Sequence, residues 1–330
     1  MYQPEIYSIV LLFMIVSMLC WGSWANTLKL CPGFRFQLFY WDYVIGLVVG
    51  ALLWGLTLGS LGTAGKPFLA EIAETSSRSA WLSFVGGAVF NVANLLLVAA
   101  IDIAGLAVAF PIGIGLALVV GATGNYFISP KGHPLLLFGG IALVVGAIVF
   151  DAMAYRLREE TRAATSRRGI VISLIAGFLM GTFYPFVSAA MTGPTSVGPY
   201  AAVLFFALGV AACAIPFNFL LMRKPLDGRE PAAMQDYFRA PFPFHAWGIL
   251  GGVIWCTGAA MNFVASQAHI VGPAVSYSIG QGATMISACW GVFVWREFAS
   301  APARSRVFLA GMFVLFLGGL AAVAVAPLFS

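Results

Sequence analysis

The chain has 330 residues, of which 61% are hydrophobic and only 9% charged, and its mean hydropathy is +0.95. Soluble domains carry roughly 45–50% apolar and about 25% charged residues, so a water-soluble fold is excluded and the chain belongs in a bilayer. The net charge of +5 does not point to nucleic acid, because Lys and Arg sit in the connections between apolar runs and form no binding stripe.

A bilayer core of about 30 Å needs about 20 residues of helix. Runs of that length are predicted near 6–27, 38–61, 81–101, 105–127, 134–154, 169–190, 198–222, 246–266, 272–294 and 306–328. The first has neither a basic leader nor a cleavage site and is expected to be retained as a helix. It ends in Trp21, Trp24 and Asn26, and the second opens with Trp41, Asp42 and Tyr43. Aromatic faces can cover a sugar ring or a flat heterocycle while amides and carboxylates bind its polar edge; an interfacial aromatic belt is the competing reading. Asp42 lies inside its run and is read as a substrate-binding or proton-coupling group, or else as an interfacial carboxylate paired with Lys29 or Arg35.

The stretch Gly59–Pro67 resembles a phosphate-binding loop but lacks its first glycine, having Ser60, and has Pro67 where a magnesium-binding hydroxyl belongs. In the third run Asn91 and Asn94 share a helix face, and Asn262 and Gln267 occupy the eighth. Such amides line a midplane cavity or bond helix to helix. Pro111 loosens the fourth run, while Tyr277, Ser278 and Gln281 give the ninth a polar face. Asp102 and Asp151, at span ends, are expected to be solvated, and Arg296 and Glu297 to form a local ion pair. The connection 223–245 reads as an ordinary loop with an interfacial turn, and the five cysteines as packing residues. No metal-binding, nucleophile-elbow or dithiol motif is present, so neither enzyme chemistry nor a cofactor is expected.

Residues 105–127 and 272–294 are related at an offset of 167, with Gly105/Gly272, Ile112/Ile279, Gly113/Gly280, Gly115/Gly282 and Gly124/Gly291 identical. Gly86-Gly87 answers Gly251-Gly252 at an offset of 165. An apolar chain that repeats at half its length points to a transporter of two related halves. With five spans in each half, the second is inverted relative to the first. The expected architecture is therefore an all-α polytopic membrane protein of ten helices: a first repeat over 1–154, a charged cytoplasmic linker over 155–168 and a second repeat over 169–330. Of the 17 Lys and Arg, only Lys66, Arg78 and Lys131 fall on the side of the even-numbered connections. The odd-numbered connections are thus expected in the cytoplasm and both termini outside, in the plasma (inner) membrane.

Trp21-Gly22-Ser23 is similar to the opening span of the glucose/ribose porter and rhamnose transporter branches of the drug/metabolite transporter superfamily. The Tyr40–Tyr43 stretch, Gly86-Gly87 with Asn94, Ala104-Gly105-Leu106, Asn125-Tyr126-Phe127, Gly251-Gly252, Gln281, Trp290-Gly291 and Glu297 resemble its ureide permease branch. That resemblance implies secondary uptake of sugars, or of ureides and nucleobases, often with protons; other relatives export drugs and metabolites. The short central linker departs from plant ureide permeases. The expected function is alternating-access, proton-coupled uptake of a small neutral polar solute, a monosaccharide or nucleoside-like sugar ahead of a ureide or nucleobase. Trp21, Trp24, Asn26, Trp41, Asn91, Asn94, Asn262, Tyr277 and Gln281 are the candidate site wall, and Asp42 the candidate coupling group. The implied partners are the solute, a proton or other coupling ion and the lipid bilayer, in a monomer or homodimer.

Overall fold

The computed structural model describes residues 1–158, 166–226 and 228–329. Among them every regular element is helical: α1 (Tyr7–Ser23), α2 (Asn26–Lys29), α3 (Phe36–Leu56), α4 (Phe68–Glu74), α5 (Ser77–Ala104), α6 (Leu106–Ile128), α7 (Pro134–Arg158), α8 (Arg167–Ala190), α9 (Pro199–Arg223), α10 (Met234–Arg239), α11 (Phe242–Ser266), α12 (Pro273–Gly280), α13 (Ala283–Cys289) and α14 (Ala303–Val325). A π-helical turn, Trp290–Val294, continues α13. Helices close their own backbone hydrogen bonds, as hydrocarbon demands.

Nine helical segments among the described residues are long and apolar enough to cross a bilayer, with α1 and α2 counting as one. The run expected near 272–294 is instead broken at Gln281 and Gly282 into α12, α13 and the π turn. Glycine is a poor helix residue, and Gly280 and Gly282 flank the step. The third span is longer than its apolar run, starting at Ser77, where Ser76 caps it by accepting from the Ser79 amide. The second stops at Leu56, ahead of the Gly59–Gly65 turns. Residues 159–165 of the expected linker lie outside the described residues; its flanks, up to Arg158 and from Arg167, are helix. The connection expected as a loop around 223–245 contains α10.

Helices pack where side chains vanish. A Cβ on Gly46 of α3 would overlap the Ile249 carbonyl oxygen of α11, and one on Gly252 of α11 the Tyr43 carbonyl oxygen of α3. The same reciprocal crossing joins α5 and α9: Gly87 abuts the Phe206 carbonyl and Gly209 the Phe84 carbonyl. In lipid, where water provides no drive between helices, such backbone-to-backbone approach is a main source of association. Gly105 (φ 78°) and Gly272 (φ 75°) start the two copies of the repeated segment in the same left-handed conformation. Helix α5 also packs along α8, α6 along α8, and α7 along α14.

Two expectations about charges are corrected. Glu297 does not pair locally with Arg296; it joins Lys29 at 2.6 Å and Arg158 at 2.9 Å, tying the ends of α2 and α7 together. Burial alone would raise the Glu297 pKa, but its two cations outweigh that and hold it below the usual glutamate range. Asp151 is not solvated but 5% exposed, on the inward face of α7. Asp102 is exposed as expected, 3.6 Å from Arg229.

Candidate functional site

A cavity of about 650 Å³ runs into the bundle between α1–α2, α5, α6, α8, α11 and α13. Its mouth lies on the face carrying Gly33, Arg35, Asp102 and Arg229. Its deep end is aromatic: Trp21, Phe90, Phe183 and Trp255. Trp21 stacks on Trp255, ring centroids 5.7 Å apart at 23°, and its indole N–H donates to the Trp255 carbonyl at 3.2 Å. Phe90 lies 4.4 Å from Trp255, and Phe206 stacks on the same indole at 5.6 Å and 9°. Each ring packs against its neighbours, so the floor is a continuous aromatic surface.

Polar groups are few and converge. Asn94 reaches the wall from α5, one turn beyond Phe90; the residue is 6% exposed and its Nδ2 has no hydrogen-bond partner. Gln281 enters at the break between α12 and α13, and Thr284 and Ser287 follow it. Trp24 covers one side, its ring 4.6 Å from Tyr43.

Trp21, Trp24, Asn94 and Gln281 are therefore brought together, and the other sequence candidates lie elsewhere. Asn26 donates to the Ser23 carbonyl at 3.0 Å and accepts from the Trp295 indole at 2.6 Å, bracing the bend between α1 and α2. Trp41 points away, its N–H on Met222 Sδ at 3.4 Å and its ring against Phe219. Asn91 is wholly buried and accepts from the Tyr40 hydroxyl at 2.9 Å. Asn262 is a junction: it accepts from Tyr184 at 2.6 Å, and its Nδ2 donates to Ser17 Oγ and the Ser276 carbonyl, each at 3.0 Å. The Tyr277 hydroxyl donates to the Ala117 carbonyl at 3.0 Å. These last two tie α1, α6, α8, α11 and α12 together beyond the aromatic floor, where the bundle is closed.

Asp42 is 2% exposed and outside the cavity wall. It accepts from Tyr237 of α10 at 2.7 Å and meets His245 Nδ1 of α11 at 2.8 Å. Neither Lys29 nor Arg35 is its partner. Burial, then the bond to Asp42 and its charge, push the Tyr237 hydroxyl above its usual range. Sequence reasoning missed Trp255, although one signal was available: it follows Gly252 by three residues, as Phe90 follows Gly87. Nothing in sequence linked Tyr237 and His245 to a carboxylate some two hundred positions earlier.

A multi-pass helical bundle with a cavity open at one end and sealed at the other is the form of a membrane transporter. Residues 12–326 match the family model described as Sugar transport protein, and the chain belongs to that family. It is a transporter and not an enzyme. Ureide permease 1 of Arabidopsis thaliana is 21% identical over 380 residues, covering 96% of each chain. The Listeria monocytogenes protein lmo0176, whose name assigns it sugar uptake, is 24% identical over 270 residues, covering 81% of this chain and 86% of its own. A protein of known crystal structure shares the fold, with a TM-score of 0.64 over 96% of each chain at 17% identity.

Proposed function

We propose that this transporter takes up a small neutral polar solute by alternating access, binding it between the aromatic floor and the Asn94 and Gln281 amides. The observation that carries this reading is the placing of the Asn94 and Gln281 side chains on one cavity wall with the stacked Trp21–Trp255 floor. A ring with one apolar face suits the indoles, and its hydroxyl or carbonyl oxygen suits the amide. A monosaccharide or nucleoside-like sugar fits this description, as the family description and the Listeria relative's name suggest. A ureide or nucleobase fits it as well, and the full-length match to Ureide permease 1 favours that second reading.

The wider reading has ten spans in two inverted halves, 1–154 and 169–330, joined by the linker 155–168. The broken α12–α13 segment counts as the ninth span. The matched crossings Gly46/Gly252 and Gly87/Gly209, and the matched Gly105 and Gly272, support it. The excess of Lys and Arg beside the cavity mouth supports an inward-open form with both termini outside, in the plasma membrane. Asp42, held by His245 and Tyr237, is the proposed proton-coupling group, acting through the α3–α11 contact from outside the wall.

Thermal-shift screening of purified protein against monosaccharides, nucleosides, nucleobases and allantoin tests the solute, because a ligand of the folded state raises its apparent stability. Uptake of the hit into proteoliposomes under an inward proton gradient tests coupling. Asp42→Asn is expected to abolish accumulation while sparing exchange, and wild-type accumulation in that variant overturns the coupling role. Silence across the panel, with resistance to toxic amphiphiles on expression, would make the protein an exporter.

A further inference from the structure

A second buried carboxylate lies away from the cavity and takes no part in the proposed cycle. Asp151 is 5% exposed, and its Oδ1 is buried without a hydrogen-bond partner. It shares one face of α7 with Tyr155 and Arg158, at helical spacings of four and three residues. Glu297 faces it from the connection before α14, holding Arg158 at 2.9 Å, Lys29 at 2.6 Å and the Tyr155 hydroxyl at 3.3 Å. From α14, Ser305 donates to the Ala154 carbonyl and is spent there, while Arg304 and Arg306 are exposed. The two cations of this cluster, Lys29 and Arg158, are thus already bound by another acid.

An ionised Asp151 would be a buried charge with an unmet oxygen beside a second carboxylate, whereas the same oxygen bearing a proton carries no charge to compensate. We propose that Asp151 is a proton-exchange site, separate from Asp42, that controls the ion-pair latch between α2, α7 and the Glu297 connection. With the proton on its carboxyl, Glu297 keeps both Lys29 and Arg158. When the proton leaves to water at this face, the new carboxylate repels Glu297 and competes for Arg158, which lies two turns along the same helix face. The latch then loosens, and with it the tie between the first span and the fifth.

The test is infrared spectroscopy of the reconstituted full chain across pH, which needs no transported solute and so fails or succeeds independently of the solute assignment. A protonated-carboxyl C=O band is expected that disappears as pH rises, is absent from Asp151→Asn and persists in Asp42→Asn. Should Asp151→Asn not fold, carbon-13 labelling of aspartate in the wild-type chain must shift the band. A band untouched by the Asp151 change, a band that does not respond to aspartate labelling, or no titrating band at all overturns the proposal. A second readout is transport against pH on the latch side: Asp151→Asn is expected to flatten the profile while retaining uptake, and an unchanged profile counts against the site.

Discussion

Replacing Asn94 by leucine separates a binding role from a structural one. The side chains have similar volumes, and the Asn94 Nδ2 makes no hydrogen bond of ordinary geometry, so the change gives up at most a weak contact with the Tyr40 hydroxyl. The fold should therefore lose little: removing a buried donor that is unsatisfied avoids the usual penalty of orphaning a partner. Solute affinity should fall by the worth of one neutral hydrogen bond, about 0.5–1.5 kcal/mol. At 1.4 kcal/mol per decade, that weakens binding about two- to tenfold. The assay is the dissociation constant of the solute identified by thermal shift, with the midpoint of the solute-free protein measured in the same experiment. If the solute-free midpoint collapses while affinity is kept, Asn94 is a packing residue and the site reasoning is refuted.

Asn262→Leu should act the other way, because it leaves the buried Tyr184 hydroxyl only its long 3.4 Å bond to the backbone carbonyl of residue 262 and breaks the link to Ser17; a loss of about 1–3 kcal/mol is expected, read as a lower thermal midpoint. Gly252→Leu would drive a side chain into the Tyr43 carbonyl and should yield no folded protein in size-exclusion chromatography, whereas Gly139→Ala, with open space at its Cβ, should be neutral. Since Lys29 and Arg158 depress the Glu297 pKa, the latch contributes stability above the ordinary glutamate pKa and loses it as pH falls through the depressed value. Acid melting curves should show this loss in the wild type and not in Glu297→Gln. Trp255→Ala should weaken solute binding more than Asn94→Leu, since it removes the ring on which Trp21, Phe90 and Phe206 rest; equal affinity in that variant would argue against the floor.

Chain composition and glycine spacing were enough to place the protein in a bilayer, to locate its helices within a few residues and to expose the repeated segment. Apolar runs of about 20 residues have one stable form in lipid, because every backbone group must bond within the segment. The glycine pairs were legible because a glycine repeated at a fixed offset in an apolar helix has few uses other than close approach. The ninth run shows where that logic ends: hydropathy cannot distinguish a straight span from one broken at Gln281.

Side-chain partnership depended on the tertiary structure. Asn91 and Asn94 share a helix and a spacing, yet one accepts from Tyr40 and the other reaches the cavity, because the rotation of α5 against α3 assigns each its neighbour. Asp42 read as a coupling group inside its run and Asp151 as a solvated carboxylate at a span end; packing gave the first Tyr237 and His245, and buried the second with an oxygen lacking a partner. Sequence by itself determined what must be buried in lipid and where backbones can touch, since both follow from local composition. Which polar groups meet, and which are left lining the cavity, was decided only when helices far apart in the chain came within the roughly 3 Å reach of a hydrogen bond.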